Sequence, residues 1–212
     1  EFSWQKYVEW ALDVPMFFIK RGHDYHPHHP SFRRYMSEGF TTPDGVHQRA
    51  TQGDWELHLS TLFPEVRLKP FIEIRGADSV GSKTVCALPA LCKGLMYDEE
   101  AGRAAWDLVA RLDIDKRMDL WGRARINGLS DPEVRAKCQQ LLSFARLGLG
   151  RLDVRDGKGR SEARFLDTLD LQVTRAATPA GEALTELGEE PGRSAEGRAK
   201  LANYFRFAGA EL

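Results

Sequence analysis

No run of apolar residues in this 212-residue sequence is long enough to cross a bilayer, and the opening Glu1-Phe2-Ser3-Trp4 lacks the basic start and apolar stretch of a secretory leader. Charge of one sign is also missing, since 30 Lys and Arg balance 31 Asp and Glu. Without a basic excess, neither a nucleic acid nor a membrane is an expected partner, and clusters such as Arg33-Arg34 read as solvated surface. Cysteine is scarce. Cys86, Cys92 and Cys138 are odd in number, and the first two are too far apart for a C-x-x-C motif. That excludes a secreted disulfide scaffold and points to a reducing, cytoplasmic setting. There is no P-loop, internal repeat or low-complexity tract, and Gly157-Lys158-Gly159-Arg160 has no strand before it, so it reads as a surface turn.

What is present is an ordinary globular mixture, 42% hydrophobic and 29% charged, with length for one domain or one domain and an appendage. Trp4, Tyr7, Val8 and Leu12 recur at helical spacing over residues 4 to 12, ended by Asp13 and Pro15. Pro15 to Ile19 reads as a buried strand, residues 23 to 30 as a His- and Pro-rich loop, Ser31 to Met36 as one or two helical turns, and residues 41 to 53 as a loop. Asp54 is a plausible cap for a helix to Leu62, with Trp55, Leu59 and Leu62 on one side. Asp98 can cap a helix whose apolar stripe is Ala101, Ala105, Leu108, Val109 and Leu112. Asp131-Pro132-Glu133 is a strong helix start, with Val134, Cys138, Leu141, Leu142 and Ala145 inward. Gly148 to Arg160 reads as a connector, Glu162 to Val173 as a helix, Thr178-Pro179 as another helix start and Gly188 to Gly197 as a loop. Leu201, Tyr204 and Phe205 belong to a last helix. The expectation is an α+β chain, with strands and loops in the first ~90 residues and helices afterwards. The composition shifts near residue 85, which suggests a strand-and-loop part over 1–84 and a helical part over 85–212.

Residues 63 to 78 concentrate the chemistry, pairing Glu65 with Arg67 and Glu73 with Arg75 two residues apart. In an extended strand Glu73 and Arg75 share one face, and Ile72 and Ile74 take the other into a core. A carboxylate beside a guanidinium can hold a metal ion and a phosphate at adjacent points. The same spacing also suits a solvated, salt-bridged face. His23, His26, His28 and His29 lie in a segment broken by Pro27 and Pro30 with no positioned acid, which reads as a solvated loop. His58 reads as a packed helix-face histidine and Cys86 as a buried, inert thiol.

The string Trp55-Glu56-Leu57-His58-Leu59-Ser60-Thr61-Leu62-Phe63-Pro64-Glu65-Val66-Arg67-Leu68-Lys69, followed by Glu73-Ile74-Arg75-Gly76-Ala77-Asp78, resembles the glutamate–cysteine ligases of plant and proteobacterial type. Tyr7 to Met16, Cys86-Ala87-Leu88-Pro89-Ala90 and Gly94 to Asp98 extend the resemblance, with weaker echoes at Glu162, Phe165-Leu166 and Thr178-Pro179-Ala180. The resemblance implies the C-terminal part of a glutamine-synthetase-like catalytic fold. It also implies a reaction in which ATP phosphorylates the γ-carboxylate of L-glutamate and the amine of L-cysteine attacks the acyl phosphate, opening glutathione synthesis. By position in the family motif, Glu73 is a ligand of Mg2+ and Arg75 the catalytic group facing the transferred phosphate. Arg67 is the candidate for holding substrate or an active-site carboxylate, and Glu65 and Asp78 are supporting or structural.

The family's other metal-binding glutamates and its nucleotide contacts lie largely in an N-terminal half. Residues 1–212 resemble the second half, and that missing half is the expected partner. In the plant enzymes cysteines form redox-sensitive disulfides. Cys86 occupies one such position, its expected partner lies outside this sequence, and residues 23 to 30 lack the plant cysteine. Residues 79 to 84 and the tail after 150 diverge from the family. Two other readings stand beside this one: a relative that joins glutamate to a different amine, and a non-catalytic interaction module that kept the strand alone.

Overall fold

The structure, a computed structural model, describes residues 3–77, 84–188 and 191–204. The chain divides into two compact units, residues 1–77 and 78–212. The short strands fall in the first unit and helices make up the second, a helix-rich α+β chain.

In the first unit α1 (Trp4–Asp13) starts where the Ser3 hydroxyl accepts from the Lys6 amide at 3.2 Å. Ala11 is its buried residue, whereas Trp4 and Val8 stay exposed. The periodicity located the helix, but the covered side is set by what packs on it. β1 (Phe18–Arg21) and β2 (Asp24–Pro27) form an antiparallel hairpin with Gly22 at φ 59° in its turn. This corrects two expectations. The strand begins three residues late, with Phe17 exposed and Pro15 making only an isolated bridge to Ser31, and the His- and Pro-rich segment is the second strand. Pro27 is tolerated because it closes an edge strand.

α2 (Phe32–Glu38) is capped by Ser31 and ends at Gly39, φ 73°. The stretch expected to be a loop contains the two-residue strands β3 (Phe40–Thr41) and β4 (His47–Gln48). α3 (Gln52–Ser60) is capped by Thr51, not Asp54. Asp54 stands third in the helix and completes a capping box by accepting from the Thr51 amide at 2.9 Å. Met16, Ile19, Phe32 and Tyr35 form the core of this unit, with Phe40 and Trp55 packed against it.

β5 (Val66–Leu68) and β6 (Ile72–Ile74) pair antiparallel with Arg67 opposite Glu73. Residues directly opposite share a face, so Val66, Leu68, Ile72 and Ile74 point one way and Arg67 and Glu73 the other. The burial is the reverse of the expectation: Ile72 and Ile74 are 56% and 41% exposed, and Arg67 is 7% exposed. Arg67 goes under because the end of α3 offers it carbonyls.

In the second unit α4 (Ala87–Met96) is followed by α5 (Glu99–Ala110), capped by Asp98 as expected. α6 (Ile114–Asn127), capped by Asp113, was not anticipated, because its apolar residues Ile114, Met118, Trp121 and Ile126 face outward and leave no inward stripe to read. α7 (Pro132–Leu152) starts at Asp131, whose carboxylate accepts from the Glu133 and Val134 amides at 3.0 Å each. It runs through Gly148 and Gly150, so the connector begins later than Gly148.

A 3-10 turn over Glu162–Leu166 leads into α8 (Asp167–Arg175), and Thr178 caps α9 (Pro179–Leu187). α10 (Ala195–Tyr204) begins inside the segment expected to be a loop. Ala90, Leu142, Ala145, Leu149, Leu166 and Val173 make the core of this unit. Asp78 and Phe205 lie outside the described residues. Among the described residues no helix is long and apolar enough to cross a membrane.

Candidate active site

The entry to the β5–β6 hairpin is built from backbone. The Arg75 amide donates to the Glu65 carbonyl at 2.8 Å and the Lys69 amide to the Phe71 carbonyl at 2.9 Å, which holds the ladder in register at both ends. Arg67 is the anchor. Its Nη1 donates to the Ser60 and Leu62 carbonyls at 3.0 and 3.2 Å, at the C-terminal end of α3 where carbonyls lack helical partners. Its Nε and Nη2 lie 2.7 Å from Glu73 Oε2. The other oxygen of Glu73, Oε1, accepts from Arg75 Nη1 at 3.0 Å. The Arg75 guanidinium lies 5.1 Å from the centre of the Phe63 ring, and that of Arg67 lies 5.8 Å from it.

The order of exposure follows from this. The Arg67 side chain is 9% accessible, Glu73 is 30% and Arg75 is 31%. Arg67 is spent on the protein, while Glu73 and Arg75 open outward with lone pairs and N–H groups to spare. The hydrogen bond from Arg67 outweighs desolvation and holds the Glu73 carboxyl below its ordinary range, so it is ionised and ready to accept. Among the described residues no three His, Cys, Asp or Glu side chains gather as a metal cluster. Magnesium commonly takes only one or two protein carboxylates, with waters and substrate phosphates as its other ligands. A carboxylate such as Glu73 could contribute one such ligand, beside the arginines its two oxygens already meet.

Sequence spacing placed Glu73 and Arg75 together, and they are together. It did not foresee that Arg67 would lie opposite Glu73 and grip it. Nor did it give Phe63 a role, because the ring meets Arg75 across the hairpin entry, which no local spacing shows. The Glu65 carboxylate lies against Gly76. His26 and His28 pack on Phe40 at 5.3 and 5.8 Å, so half of the expected solvated cluster is ring packing. His58 is 2% exposed and stacks on Phe32 at 5.2 Å. Its Nε2 lies 2.8 Å from the Ala11 carbonyl, and burial pushes its pKa down. All three cysteines are free and half-buried.

The family model for glutamate-cysteine ligase family 2 matches residues 1–197. The chain is 36% identical over 184 residues to glutamate–cysteine ligase A, chloroplastic, of Oryza sativa subsp. indica, covering 84% of this chain and 36% of that protein. It is 35% identical over 200 residues to the chloroplastic glutamate–cysteine ligase of Arabidopsis thaliana, covering 92% of this chain and 37% of that protein. It thus spans little more than a third of the length of these relatives. On the extent of these matches, this chain belongs to glutamate-cysteine ligase family 2.

Proposed function

We propose that this chain forms one wall of the active site of an ATP-dependent ligase that joins L-cysteine to the γ-carboxylate of L-glutamate. The observation that carries the reading is the outward-facing Glu73–Arg75 pair braced from below by Arg67, in a chain of this family. A γ-carboxylate oxygen of glutamate attacks the terminal phosphorus of ATP, ADP leaves, and γ-glutamyl phosphate forms. The cysteine amine then attacks the acyl carbon, inorganic phosphate departs with the C–O bonding pair, and the nitrogen gives up a proton to the departing phosphate or solvent. Both steps crowd negative charge onto phosphoryl oxygens.

Arg75 supplies N–H groups to those oxygens as they take on charge. Glu73 would hold Mg2+ through a carboxylate oxygen, and the ion would neutralise phosphate charge. Of the two roles open to Arg67, holding an active-site carboxylate is the one its contacts support. The remaining ligands and the nucleotide contacts come from polypeptide beyond these residues, in a glutamine-synthetase-like fold of which this chain is the C-terminal part. The reducing, cytoplasmic setting belongs to the same proposal.

The test is Arg75→Ala in the intact enzyme. ADP release should fall by roughly 100-fold or more in kcat while ATP affinity changes little, because the contact matters most when charge develops. Normal turnover would remove Arg75 from the chemistry. An amine screen on the unmodified enzyme identifies the acceptor, and preference for another amine over cysteine would leave the ligase chemistry and change its product.

A further inference from the structure

The Arg75 guanidinium has two supports. Glu73 Oε1 accepts from Nη1 at 3.0 Å, and the Phe63 ring centre lies 5.1 Å from Cζ, within cation–π range. An exposed ion pair alone is weak and leaves a long side chain several rotamers. A carboxylate at one edge together with a ring against the group restricts both its position and its plane.

Phe63 is placed beside both arginines of the hairpin. It is 62% exposed, so it does not serve as a core residue. Its ring neighbour is Phe17 at 6.1 Å, tilted by 56°, which steadies it from the side. Arg67 lies farther from the ring than Arg75, at 5.8 Å, and is already fixed by Glu73 and two carbonyls. Of the two arginines, Arg75 is the one with freedom left for Phe63 to remove.

We propose that Phe63 is the positioning residue for Arg75, its ring holding the guanidinium beside Glu73 so that the free N–H groups face the phosphoryl group. The inference rests on the reading of Arg75 as the phosphate-facing group. Small misplacements of a catalytic group cost large factors in rate, so the ring contributes through geometry without touching substrate.

Phe63→Leu keeps apolar bulk and removes the π face, and Phe63→Tyr keeps both. In the intact enzyme, Phe63→Leu should lower kcat roughly tenfold with KM for ATP and glutamate within about twofold, and Phe63→Tyr should restore kcat. In the substrate-free protein, the Arg75 Nε–H NMR signal should carry a ring-current shift that Phe63→Leu abolishes and Phe63→Tyr retains. Equal losses in the Leu and Tyr variants, wild-type kcat in Phe63→Leu, or an unmoved Arg75 signal in that variant would each overturn the inference. Arg75→Ala run in parallel separates the two failures. If it turns over normally, the site reading falls and this inference with it. If it is crippled while Phe63→Leu is not, only the role of Phe63 falls.

Discussion

Asp54 is 5% exposed, and both of its carboxylate oxygens are in use. Arg21 donates Nη1 to Oδ1 at 2.6 Å and Nη2 to Oδ2 at 3.0 Å, and the Tyr35 hydroxyl and the Thr51 amide reach Oδ2 at 3.0 and 2.9 Å. Desolvation alone would raise this carboxyl; the bonds from Arg21, Thr51 and Tyr35 outweigh it and hold the pKa below the ordinary value. The Tyr35 hydroxyl is pushed up to about 12, by burial first and then by Asp54. Because the native carboxyl binds its proton more weakly than the unfolded one, its stabilisation is complete above the ordinary Asp pKa of about 4 and is lost as pH falls through the native pKa. Asp54→Asn should cost about 1–3 kcal/mol at pH 7, because the half-buried Arg21 loses its carboxylate partner. It should also flatten the acid side of the stability profile. Urea melts of both proteins across the acid range measure this, and parallel slopes would show that Asp54 does not set the acid response. A sequence reader sees a helix-start acid here. The ion pair with Arg21 was invisible because the two meet only when the β1–β2 hairpin and α3 pack.

At the scale of elements, α4 and α7 cross at glycines. A methyl on Gly94 would overlap the Ala145 carbonyl, and one on Gly148 would overlap the Gly94 carbonyl and come within 3.1 Å of the Ala101 Cβ. Gly150, two residues along the same helix, has open space around it. Glycine otherwise weakens a helix, so the two should respond oppositely to alanine. Gly150→Ala should stabilise by about 0.5–1 kcal/mol, whereas Gly148→Ala should destabilise by about 1–3 kcal/mol by prising the helices apart. Thermal denaturation of the two variants decides it, and stabilisation by both would mean the crossing is looser than described. These glycines also explain why the connector begins later than the Gly-rich sequence suggests: such sequence reads as loop until a second helix lies on it. Helix starts marked by Ser31, Asp98, Asp131 and Thr178 were legible because a cap acts within its own turn.

At the scale of the molecule, Glu73 and Arg75 make one wall of the proposed site, and the chain spans 36% of its rice relative. The 212 residues alone should therefore release no ADP from ATP, glutamate and cysteine. A coupled ADP assay checks this, and sustained turnover would show that these residues assemble the site unaided. The sequence by itself determined the family, the helix-forming segments with strong caps and the common face of Glu73 and Arg75, since motif, capping and strand alternation act over a few neighbouring residues. Tertiary structure alone decided that Arg67 is buried and grips Glu73, that Ile72 and Ile74 face outward, and that Phe63 lies against Arg75. Those outcomes depend on where the end of α3 presents its free carbonyls to the hairpin, a meeting of segments that no local pattern specifies.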